Sequence, residues 1–154
     1  MAKKISKKIS KKEKEIVAAV RERMKRGGAI ELFGFDVERV AVGSAEFILD
    51  VQPKHKQLHG VVHGGILASL ADTTAAIAAY SAVPPGTQIA TVEMKINFLE
   101  AVGDGRVRAV ARVLRAGRNF VVTECEIFSS DGTLAAKALL TFGAAAKNSL
   151  EGSS

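Results

Sequence analysis

One cysteine, Cys125, is all that the 154-residue chain has, which excludes an intramolecular disulfide and leaves no CxxC pair for metal or redox chemistry. Its setting in residues 121–127 reads as a strand interior, and a reducing compartment fits. No GxSxG elbow is present to serve a nucleophilic serine. His55, His59 and His63 recur every four residues, but Gly60 and the Gly64-Gly65 pair work against a helix through them. No Glu stands between them as in HExxH, and no further ligand lies among them, so no metal is expected. The start of the chain lacks the uninterrupted apolar stretch of a secretory signal, because Lys breaks the pattern up to Lys14. A cytoplasmic location without membrane insertion is the expectation. No aromatic residue precedes Phe33, so base stacking by the first residues is unsupported. There is no repeat, low-complexity linker or second domain.

The formal charge of +6 changes meaning when divided along the chain. Residues 1–26 carry a net +8, and the remainder a net −2. Basic character thus belongs to Lys3, Lys4, Lys7, Lys8, Lys11, Lys12 and Lys14, and no nucleic-acid surface is expected on the folded part. Ile5, Ile9, Ile16, Val17, Val20 and Met24 fall near helical spacing in this segment, predicting an amphipathic helix stopped by Gly27-Gly28. The predicted organisation is a basic helix or tail over 1–26, one domain over 27–146 and a loose tail over 147–154.

Within the domain, alternation over 35–51 around Gly43-Ser44 predicts two short strands and a turn. A loop over 54–62 leads to His63-Gly64-Gly65 and an Ala-rich run over 66–83, long enough for one helix and stopped by Pro84-Pro85-Gly86. Four strands are predicted at 88–99, 106–114, 119–129 and 134–144. Their short connections predict an antiparallel meander, which is the only element large enough to cover so apolar a helix.

Residues 65–83 contain no Lys, Arg or Glu and a single Asp, Asp72. At 100° per residue Ile66, Leu67, Leu70, Thr74 and Ile77 gather on a bulky side. Gly65, Ala68, Ser69, Asp72, Ala75, Ala76 and Ala79 gather on a small side, open to close approach by a ligand or another backbone. The bulky side is expected to be buried by the sheet. Asp72 has no cation at i±3 or i±4, and a carboxylate left without a partner in apolar surroundings suits acid–base or nucleophilic chemistry. At the other end of the helix, the first N–H groups beside Gly64 and Gly65 have no intrahelical acceptor, so they could stabilise a developing oxyanion.

Gln57 through Asp72, read as Q-x-x-G-x-x-HGG-x-x-x-x-L-A-D, resembles the hotdog-fold thioesterases of the 4-hydroxybenzoyl-CoA thioesterase superfamily, in particular the phenylacetic-acid-degradation type. The resemblance covers residues 34–146. It implies an α+β hotdog fold, an antiparallel sheet wrapped around one long central helix, here with an additional N-terminal helix. It further implies hydrolysis of acyl-CoA or aryl-acyl-CoA esters without a cofactor, coenzyme A being part of the substrate. In that family pattern Asp72 is the catalytic carboxylate, as general base or as nucleophile. Gly64 donates its N–H to the thioester oxygen, Gly65 lies beside it, Gln57 orients water or the carbonyl, and His63 holds the helix start. Thr91 matches a Ser/Thr position near the site. Arg112, Arg115 and Arg118 lie near a turn where relatives contact the coenzyme A phosphates, although strand alternation equally places Arg106, Arg108 and Arg112 on a solvated face. The family builds its sites between subunits, implying a homodimer or homotetramer. A non-catalytic acyl-CoA or acyl-carrier sensor on the same fold is the alternative, and a dehydratase lacks a counterpart for its usual histidine.

Overall fold

The computed structural model describes residues 11–25 and 27–145. Ile5, Ile9 and the tail over 147–154 lie outside them. The elements run α1 (Lys11–Met24), α2 (Gly28–Phe33), β1 (Phe35–Ala41), β2 (Ser44–Asp50), a 3-10 turn (Pro53–His55), α3 (Gly64–Ser81), β3 (Gln88–Phe98), β4 (Arg106–Ala116), β5 (Phe120–Phe128) and β6 (Leu134–Ala145). Gly28 does not simply end the first helix: it opens α2, a turn and a half that closes on Gly34 in the left-handed region at φ 73°. α1 packs on the domain through buried Val17, and Arg21 ties it to β1 by bonds to Asp36 and the Val37 carbonyl.

All six strands form one antiparallel sheet in the order β1-β2-β4-β5-β6-β3, wrapped on α3 as a hotdog. The expected four-strand meander holds only for β4, β5 and β6. β3 pairs with β6 instead, at the far edge from β1. Crossing three strand spacings takes about 14 Å. The connection over 99–105 is too short for a helix, but seven extended residues reach about 23 Å. Shortness therefore excluded a crossover helix without excluding the crossover.

α3 begins where the His63 imidazole accepts the Gly65 N–H at 2.9 Å, and ends before Pro84-Pro85. Its buried residues are Leu67, Leu70, Ala71, Thr74, Ala75, Ala78 and Ala79. This corrects the expected division into a bulky buried side and a small open side. The rows at i, i+4 spacing that contain Leu70 and Ala71 are covered, whereas those that contain Asp72 and Thr73 are not. Ala75 and Ala79 are buried, and β4 and β6, which both contact α3, contribute Ala109, Ala111, Ala136 and Ala138, all buried. Small residues on both surfaces let helix and sheet approach closely, so burial follows the helical row and not side-chain size. Phe47, Leu49, Ile127, Leu140 and Phe142 fill the rest of the core.

Candidate active site

The uncovered rows of α3 carry the polar groups. Asp72 lies half-buried at mid-helix, and its Oδ1 accepts a 2.7 Å hydrogen bond from the Thr91 hydroxyl of β3. No cation pairs with this carboxylate among the described residues. Thr91 reaches it because β3 carries a bulge: Thr91 pairs with Phe142 and Glu93 with Thr141, leaving Val92 as the extra residue. Regular alternation would point Glu93 to the same side as Thr91. The bulge turns it to the outer face, where the Thr141 hydroxyl donates to it at 3.3 Å, and a second carboxylate is kept from Asp72.

At the N-terminus of α3, the Gly64 N–H makes no hydrogen bond to any described residue. The next donors are satisfied, Gly65 N–H by His63 Nδ1 and Ile66 N–H by the His63 carbonyl at 2.9 Å. His63 is thus the helix cap, and an accepting Nδ1 places its proton on Nε2. Gly64 and Gln57 line one cavity of about 330 Å³ with Val61, Leu67, Phe98 and Leu99. The Phe98 ring lies where a side chain on Gly64 would stand, 3.2 Å from an ideal Cβ. A free N–H, at the positive end of a helix and open to a cavity, is suited to a carbonyl oxygen that gains charge. Sequence reasoning did not find Phe98; as one apolar residue in a β-strand it carries no signal.

The three arginines separate. Arg112 bonds to Glu124 on the outer sheet face, in line with Arg108, which reaches Glu46 at 3.4 Å and covers the Phe128 ring. Burial raises the Glu124 carboxyl, but the bonds from Arg112 and Lys137 outweigh it and hold the group below its ordinary range. Arg118 instead lines a cavity of about 790 Å³ with Pro84, Pro85, Thr87, Gly117 and Asn119. Arg115 is exposed near it in the chain, and neither has a carboxylate partner among the described residues. No group of three or more His, Cys, Asp or Glu converges as a metal site among the described residues, and no helix there is long and apolar enough to cross a membrane.

The sequence profile described as the thioesterase superfamily matches residues 59–136. A Saccharolobus solfataricus protein named for esterase activity is 34% identical over 80% of this chain and 88% of its own length. The 1,4-dihydroxy-2-naphthoyl-CoA hydrolase of Escherichia coli is 27% identical, over 77% of this chain and 87% of its own. Among solved structures, the Escherichia coli PaaI protein from the phenylacetic acid degradation operon superposes with a TM-score of 0.75 at 25% identity, covering 80% of this chain and 88% of that one.

Proposed function

Because this chain belongs to the thioesterase superfamily and is a thioester hydrolase, we propose that it cleaves acyl- or aryl-acyl-CoA esters to free acid and coenzyme A at a site built by two copies. The observation that carries this reading is the separation on α3. Asp72 and Gly64 are eight residues apart, about 12 Å of helix rise, with a bonded carboxylate at one point and an unbonded N–H at the other. One thioester carbonyl must lie about 3 Å from its nucleophile and from its oxyanion donor together. For direct attack by Asp72 a single α3 cannot provide both, whereas two helices side by side can, with or without a water between carboxylate and carbonyl. β3 offers the means of pairing: it is an eleven-residue edge strand with Val92 and Phe98 exposed, a surface suited to a second copy in a homodimer or homotetramer.

In this mechanism Asp72 takes a proton from water as the water oxygen bonds to the carbonyl carbon, or attacks that carbon itself. The resulting oxyanion is held by Gly64 N–H of the second copy. Re-formation of the carbonyl breaks the C–S bond. On the water route the coenzyme A sulfur leaves with the proton held by Asp72; on direct attack it leaves as thiolate and is protonated by solvent, after which water hydrolyses the acyl–Asp72 anhydride to free acid and carboxylate. Gln57, in the Gly64 cavity, orients water or carbonyl; Gly65 and His63 fix the helix start; Arg115 and Arg118 receive the phosphates. The chemistry calls for no cofactor or metal, and its setting is the cytoplasm. Thiol release measured across short, long and aromatic acyl-CoA esters tests the reading. Asp72→Asn and Asp72→Ala are expected to lower kcat by several orders of magnitude with the fold intact, and near wild-type turnover in either would refute it.

A further inference from the structure

Of the three histidines spaced four apart, His55 alone is buried, at 2% exposure. It ends the 3-10 turn, and its Nδ1 accepts the Gln52 N–H at 3.0 Å, which places the imidazole proton on Nε2. Nε2 has no hydrogen-bond partner among the described residues, and the Phe33 carbonyl lies near the ring. From this turn the chain returns to α3 through a small hairpin. Lys56 and Val62 form its bridge, Gln57 N–H donates to the Val61 carbonyl at 2.9 Å, and His63 N–H donates to the His55 carbonyl at 2.9 Å. The peptide between His63 and Gly64 carries the free Gly64 N–H, so its direction depends on where His55 holds the His63 amide.

We propose that His55 is a positioning residue for the reaction, aiming the Gly64 N–H through its own carbonyl and the amide of His63. This rests on the reading of Gly64 as oxyanion donor. The turn requires an unprotonated Nδ1, because a proton there would set two donors, Nδ1–H and Gln52 N–H, against each other. The surroundings favour the neutral ring: burial foremost lowers the pKa of His55 below its ordinary value, the Phe33 carbonyl opposes this, and the charge of Lys54 adds to the lowering. Lys54 Nζ is drawn to the Leu32 carbonyl of α2, and Lys56 is held by Asp104 of the β3–β4 connection. His63 at the start of α3 has its Nδ1 occupied by Gly65, and neither Glu31 of α2 nor Asp104 bonds to the His55 ring. A proton taken up at Nδ1 in acid therefore breaks the bond that shapes this turn.

Thiol release by the full chain on one acyl-CoA ester, from about pH 5 to 8, compares wild type with His55→Asn and His55→Leu. Asn keeps an acceptor near the place of Nδ1 and does not titrate. The expected results are a kcat for His55→Asn within about threefold of wild type at pH 8 with a shallower fall toward acid, and a loss of about tenfold in kcat for His55→Leu with KM nearly unchanged. Undiminished kcat in His55→Leu, or an acid limb in His55→Asn the same as in wild type, overturns the proposal. Nitrogen-15 NMR of the wild type decides it should the variants not fold: the Gly64 amide signal moves with the His55 midpoint, and indifference of that signal overturns it. A wild type inactive on every ester counts against the acyl-CoA reading instead, and the NMR result still decides the link from His55 to Gly64.

Discussion

The Thr91 hydroxyl donates to Asp72 Oδ1 at 2.7 Å, joining the edge strand β3 to the middle of α3. One carboxylate oxygen is fixed by this bond, and Oδ2 is bonded to no described residue. A hydrogen bond to a charged group contributes about 1.5–3 kcal/mol. If the bond orients Asp72 in the transition state, Thr91→Val lowers kcat by roughly tenfold to a hundredfold. Thr91→Ser keeps the hydroxyl and is expected to retain most of the activity. Equal turnover in the Val and Ser variants would leave the bond without a catalytic role.

Gly65 separates stability from function at the helix start. A Cβ there would stand 3.0 Å from His63 Nδ1, so Gly65→Ala displaces the ring that caps the helix. Loss of a cap costs about 1 kcal/mol, and Ala in place of Gly returns up to about 1 kcal/mol in helix propensity. The melting temperature is expected to move by only a few degrees while kcat falls, as circular dichroism melts and thiol release would show.

Much of this arrangement was legible in the chain. The alternation of Val107, Ala109 and Ala111 with Arg106, Arg108 and Arg112 marked β4 and both of its faces, and the isolated Asp72 marked the middle of α3. The place of β3 was not legible, because a seven-residue connection is compatible with an adjacent partner and with a crossover. Which side of α3 is buried was not legible either. Size suggested one side, whereas the alanines of β4 and β6 admit Ala75 and Ala79 to the interior. His55 is the sharpest case: four-residue spacing grouped it with His59 and His63, and only the fold divides a buried turn residue from two exposed ones.

Arg118 and Arg112 differ in partner, and so in expected effect. Arg118 lines the large cavity beside Pro84–Thr87 without a carboxylate, so Arg118→Ala is expected to raise KM for acyl-CoA several-fold, more at low salt than at high. An acyl thioester of N-acetylcysteamine, which lacks the nucleotide, would show no such change. Arg112→Ala frees Glu124 and is expected to leave KM unaltered. Equal KM effects for both variants and both substrates would remove the arginines from substrate binding.

Asp131 sets part of the acid stability. The Ser129 hydroxyl at 2.6 Å and Thr133 N–H at 3.0 Å hold its carboxyl at about 2, down from 3.8. A pKa lowered in the folded state stabilises above the unfolded value, and that contribution is lost as pH falls from about 4 toward about 2. Asp131→Ala removes it at neutral pH, so variant and wild type are expected to converge in melting temperature as the pH drops through this window. A difference that stays constant with pH would show that the β5–β6 turn does not depend on the charge.

A shared site predicts complementation between two inactive chains. Asp72→Ala removes the carboxylate, and Gly64→Pro removes the N–H at the first position of α3, where a helix tolerates proline. The proline ring also presses on Phe98, 3.2 Å from a Cβ at this position, but it does so only in the site that has lost the N–H, so each homodimer lacks one group in both of its sites. When the two variants are unfolded together and refolded at equal concentration, about half of the dimers are mixed, and each mixed dimer holds one site with wild-type Asp72 facing wild-type Gly64. About a quarter of wild-type turnover is expected to return. The separation of Asp72 and Gly64 on one helix requires this outcome if Asp72 attacks the carbonyl that the Gly64 N–H holds. No recovery, from mixtures shown by mass spectrometry to contain mixed dimers, would mean that each chain completes its own site.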